Sequence, residues 1–182
     1  MKILSLDIAE FKTGWAAGES GSKPEFGLYK LRRKEERIKD AVGRFAEWID
    51  TMINDHRPFL VFAEDYLPAG GMKGRTTADV RDGAILLNGA LRAVCGLNGV
   101  EVRCIGPATI RKHFCGRAYG EPVGTESSRD ATKRMVVERA QMLGYIPKDC
   151  VDHDVADAVA GFDFASSHYA RAAGAFALTE KR

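Results

Sequence analysis

The chain has 182 residues, 45% of them hydrophobic, which supplies the core of one ordinary domain. Its 27 basic residues nearly balance 25 acidic ones, so any affinity for a polyanion has to come from local patches and not from net charge. Cys95, Cys104, Cys115 and Cys150 lack Cys-x-x-Cys spacing, which argues against structural zinc, and no leader-like or membrane-length apolar stretch is present, so the expectation is a soluble, cytoplasmic protein.

Residues 2–8 read as a buried strand and 13–17 as the next, joined by a short turn into an antiparallel hairpin, with Glu25–Leu31 completing a three-stranded start. The glycine- and serine-rich stretch 18–24 is a turn. From Arg32 to Asn54, Ile38, Val42, Phe45, Ile49 and Met52 recur at spacings of four and three, the mark of one apolar helix face. The charge run Arg32–Arg37 is read as the solvated start of that helix. Phe59–Glu64 is a strand, and the following Leu67–Arg75 segment, broken by glycines and a proline, exposes Lys73 and Arg75 as a first candidate DNA-contact loop. Residues 76–97 read as a helix whose Gly83 and Gly89 let another helix come close. Next come a strand at Val100–Ile105, a short helix at Pro107–Phe114, a loop at Cys115–Ser128, a helix at Arg129–Leu143 ended by Gly144, and a last helix from Asp149 to about Tyr169. No repeat or linker divides this succession, so residues 1–182 are expected to form a single α/β domain.

Four acids stand out. Asp7 and Glu64 end the apolar runs Ile3-Leu4-Ser5-Leu6 and Phe59-Leu60-Val61-Phe62-Ala63, where a charge is costly unless paired. Asp154 and Asp157 lie one helical turn apart, so they share a face among small and apolar neighbours, where their mutual repulsion calls for a cation. Oxygen ligands from separate elements suit magnesium or manganese, which keep coordination positions open for water and phosphate. Asp152 is read as helix N-terminal decoration, Glu10 as a solvent-exposed loop acid, and Asp65 as facing away from Glu64. His153, adjacent to Asp154 but directed elsewhere on the helix, is assigned a supporting or surface role.

The segments Leu4-Ser5-Leu6-Asp7-Ile8-Ala9, Thr13-Gly14-Trp15-Ala16, Val61-Phe62-Ala63-Glu64 and Asp154-Val155-Ala156-Asp157-Ala158 resemble, in order and separation, the RuvC-type Holliday-junction resolvases of the RNase H-like superfamily. So does the stretch Ile105-Gly106-Pro107-Ala108-Thr109-Ile110-Arg111-Lys112, continuing through Gly116 to Ala131-Thr132-Lys133. The resemblance covers most of the chain and implies an RNase H-like fold with a five-stranded mixed sheet flanked by helices. It implies metal ligation and catalysis by Asp7, Glu64, Asp154 and Asp157, and phosphate contact by Lys112 and Lys133, with Arg111 an equal candidate to Lys112. Where the family often places a base-stacking aromatic after the second acid, this chain has Asp65-Tyr66-Leu67, making Tyr66 the candidate. The 115–128 loop is longer than the family's turn, and these departures suggest a divergent, phage- or prophage-like member.

The implied activity is resolution of four-way DNA junctions by paired symmetric nicks in a homodimer, with a pair of magnesium ions per site and manganese as a substitute. Tyr66, Lys73, Arg75, Arg111, Lys112, Arg117 and Lys133 are the candidate DNA contacts, and the 76–97 helix is the candidate dimer interface. Competing expectations are an RNase H-like nuclease for flaps, replication forks or RNA–DNA hybrids, an ATP-binding domain of the actin and sugar-kinase type, and a non-catalytic junction binder.

Overall fold

The computed structural model describes residues 1–33, 35–65 and 78–169, with the backbone alone for 78–81. Strands β1 (Lys2–Ile8), β2 (Lys12–Glu19), β3 (Glu25–Lys30), β4 (Leu60–Glu64) and β5 (Glu101–Ile105) form one sheet in the order β3-β2-β1-β4-β5. β1–β2 and β2–β3 pair antiparallel, whereas β1–β4 and β4–β5 pair parallel, so the sheet is five-stranded and mixed as expected. The parallel half follows from its connections, since β4 and β5 are reached only after helices α1 (Ile38–His56) and α2 (Ala78–Leu97).

Strand alternation divides the core into two layers. Leu4 and Leu6 of β1 and Val61 and Ala63 of β4 meet Phe45 and Ile49 of α1 and Leu87 and Leu91 of α2. Ile3 of β1 and Leu60 and Phe62 of β4 face the other side, against α3 (Pro107–Cys115), α4 (Ser128–Met142) and α5 (His153–His168). Asp7 and Glu64 continue this second set, so alternation alone sends both carboxylates toward α5. No helix among the described residues is long and apolar enough to cross a membrane.

The structure corrects three readings of the sequence. Helix α1 begins at Ile38 and not at Arg32, because the Arg32 guanidinium is drawn into a local knot: it pairs with Glu10, donates to the Glu36 carbonyl and stacks over the Phe11 ring at 4.1 Å. Glu10 is therefore a partly buried partner of Arg32 and not a solvated acid. Helix α5 begins at His153 and not at Asp149, because the Asp152 side chain caps it, accepting from the Asp154 N–H at 3.0 Å. The close approach expected at Gly83 is made by α1 of the same chain, since a Cβ there would lie 3.2 Å from Ile38.

Candidate active site

Register brings the acids together. β1 and β4 are paired through Leu6↔Ala63, and one step further along these parallel strands Asp7 stands beside Glu64 on the same face. On its other side Asp7 pairs with Gly14 of β2. A Cβ on Gly14 would lie 2.0 Å from the Asp154 carbonyl oxygen, so a glycine is what allows the first turn of α5 to rest on the hairpin. Gly161 does the same further along α5, where a Cβ would fall 2.5 Å from the Ser5 hydroxyl. The outcome is a cleft of about 460 Å³ lined by Asp7, Glu64, Asp154 and Asp157, with Arg111, Arg129, Lys133 and His153 among its other walls.

Negative charge in this cleft exceeds what its cations offset. Burial, followed by repulsion from Asp157, Glu64 and Asp154, raises the Asp7 carboxyl well above the ordinary range. Burial and Asp157 push Glu64 up to about 7, against the opposing pull of Arg111. Burial pushes Asp157 up to about 6, with Arg111 and Lys133 opposing and Asp154 adding repulsion. The nearest Arg111 nitrogen is 3.9 Å from Glu64, a loose pairing. Carboxylates that hold protons this strongly, on three rigid elements and facing one another, fit a divalent cation, whose charge removes the repulsion that raises them.

At the cleft's edge the charges are already matched. Lys12, the first residue of β2, places its ammonium 2.7 Å from Asp152 and 2.8 Å from Asp154. Burial works against the Lys12 charge, yet its hydrogen bonds to these two carboxylates raise its pKa on balance. His153 Nε2 is 2.9 Å from Asp154 Oδ1 and 2.7 Å from Lys133 Nζ, so His153 faces the site and not a separate helix face as expected. Burial lowers its pKa, with Lys133 and Lys12 reinforcing the effect against Asp154, and its Nε2 lies between the Lys133 ammonium and the Asp154 carboxylate. Asp152, His153 and Asp154 offer ligand atoms within 4.8 Å of one another, a closer group than the four acids form. Lys12 already bridges its two carboxylates, however, whereas among the described residues Asp7, Glu64 and Asp157 have no comparably close cation.

Of the remaining candidates, Arg111 and Lys133 line the cleft, while Lys112 is an exposed residue of α3 outside its lining. Arg117 is exposed and pairs with Glu121. Tyr66, Lys73 and Arg75 lie outside the described residues. Cys104, His113 and Cys115, neighbours in sequence, separate: Cys104 accepts from Arg92, and His113 contacts Asp163 at 3.1 Å. Sequence reasoning missed Lys12 and the cleft residue Tyr119. The signal for Lys12 was its place in the Lys12-Gly14-Ala16 alternation, which puts it on the strand face that receives α5.

No protein-family model matches the chain, and no curated protein does either. Among solved structures it is similar to Thermus thermophilus RuvC, with a TM-score of 0.66 and 18% identity over 95% of this chain and 97% of that one. The same protein in complex with a Holliday junction substrate matches with a TM-score of 0.67 and 18% identity, over 94% of this chain and 95% of that one. The yeast mitochondrial Holliday junction resolvase Ydc2 matches with a TM-score of 0.58 and 14% identity, over 96% of this chain and 83% of that one. The fold is thus the RuvC-type, RNase H-like arrangement.

Proposed function

We propose that the chain is a divalent-metal-dependent endonuclease that cuts branched DNA, with the four-way junction as its substrate. The observation that carries this reading is the convergence of Asp7, Glu64, Asp154 and Asp157 in one under-neutralised cleft on a fold shared with junction resolvases. Asp7, Glu64 and Asp157 would hold magnesium or manganese, with Asp154 joining when Lys12 yields. Bound there, the cation supplies Lewis-acid chemistry, acidifying an attacking water and stabilising the departing oxygen. Arg111 of α3 and Lys133 of α4 would neutralise the scissile phosphate, and the Lys133–His153 contact of 2.7 Å fixes the direction of that lysine. Arg129, on the same cleft, and Lys112 and Arg117 beyond it would track the phosphate backbone, as would Lys73 and Arg75, with Tyr66 the candidate for base stacking.

A four-way junction requires two matched incisions, which a two-fold dimer provides. The outer face of α2 suits that role: Ile85 and Leu86 are 48% and 42% exposed, and beside them Gly89 leaves room for a close approach. The functional reading is tested by presenting the protein with a mobile four-way junction, a flap and an RNA–DNA hybrid in magnesium. Symmetric cuts in the junction are expected, and activity confined to the hybrid would refute the junction assignment.

A further inference from the structure

Beside the acid cleft lies a second hollow of about 320 Å³, a size that admits a small planar ligand. Ile8, Ala9, Phe11, Ala84 and Leu87 supply its apolar walls, Glu10 and Lys12 line it with charges already paired to Arg32 and to Asp152 and Asp154, and it shares Arg129, His153 and Asp154 with the cleft. We infer that this hollow is a subsite for an unstacked nucleobase of the strand whose phosphate occupies the cleft. The inference rests on the nuclease reading above.

Phe11 carries the argument. It sits between β1 and β2, is 45% exposed, and lines the hollow. An exposed ring usually rotates freely, but this one is braced. The Arg32 guanidinium lies 4.1 Å from the ring centroid and is itself anchored by Glu10 and the Glu36 carbonyl. The Phe11 carbonyl accepts from the N–H groups of Leu31 at 2.9 Å and Arg32 at 3.4 Å, which fixes the backbone beneath it. One ring face is covered by a cation and the other is offered in a set orientation, which is what stacking on a base requires with little further ordering.

The rest of the hollow is complementary to a base as well. Leu87 is fully buried and closes it with an apolar surface, while Arg129, His153 and Lys12 provide hydrogen-bonding groups for the edge of a base. Because Asp154 belongs to both spaces, one nucleotide can span them, phosphate on the acid side and base on the Phe11 side. Branch points supply bases that have already lost a stacking neighbour, and these cost least to extrude.

The test uses the full chain carrying D7N, in calcium, with a four-way junction that has 2-aminopurine at a nucleotide flanking the branch point. Binding by the D7N protein should change the probe's fluorescence. Adding F11A, or A84F to fill the hollow, should remove most of that change and weaken binding about tenfold, and F11W should restore both. A fluorescence change that survives both F11A and A84F, with junction binding intact, overturns the base subsite and leaves the nuclease reading standing. Absence of junction binding by the D7N protein itself refutes that reading and the subsite together. A shift in the sedimentation of DNA-free protein on F11A would mean that a second copy covers Phe11, which also overturns the proposal.

Discussion

Glu64 and Asp157 are held at about 7 and about 6, above the range they have in an unfolded chain. The folded protein therefore binds more protons than the unfolded one between about pH 4 and pH 7, and metal-free stability falls as pH rises through that window. Glu64→Gln removes the charge without changing the shape. It should stabilise the metal-free protein at pH 8 by roughly 1–3 kcal/mol and leave it unchanged at pH 4. Calorimetry in the presence of a chelator measures this, and a lower melting temperature at pH 8 would show that the carboxylate is already compensated. Lys12 gives the opposite kind of test. Its ammonium, 2.8 Å from Asp154, competes for an oxygen that a metal would use. Lys12→Met should tighten manganese binding about tenfold in a calorimetric titration, and weaker binding would mean that Lys12 instead helps to build the site.

Helix α5 owes its position to glycines on both sides of the contact, Gly14 on β2 and Gly161 on the helix itself. Gly14→Ala puts a Cβ 2.0 Å from the Asp154 carbonyl oxygen, backbone against backbone, so the helix must retreat. We expect a loss of about 3 kcal/mol in urea denaturation, accompanied by weaker metal binding, because Asp154 and Asp157 move with α5. Unchanged stability would mean that the helix tolerates displacement. These elements also show what was legible in the sequence. The apolar runs of β1 and β4, each ending in an acid, and the Asp154–Asp157 spacing gave the chemistry, because period-two and period-3.6 patterns fix faces locally. The contact from Lys12 to Asp152 and Asp154 did not emerge, since it joins residues far apart in the chain and depends on how α5 crosses the hairpin. The start of α1 was misread because charges at 32–37 suit a helix surface in isolation, and only the folded chain offers Glu10 to Arg32.

Across the whole molecule, the mixed sheet explains why one cleft collects every candidate acid: β1 lies between its antiparallel partner β2 and its parallel partner β4, and α5 spans the three. Two such clefts in a dimer would serve a branched substrate, so Ile85→Asp with Leu86→Asp should yield a monomer in sedimentation experiments. That monomer should nick junction strands singly and no longer in matched pairs. A double variant that remains dimeric would place the interface elsewhere. What decides the account is the behaviour of Asp7→Asn on a four-way junction. It should abolish cleavage in magnesium while leaving junction affinity in calcium unchanged, because the carboxylate serves the metal and not the fold. Cleavage by Asp7→Asn at the rate of the parent protein would contradict the assignment of the acid cleft as the catalytic centre.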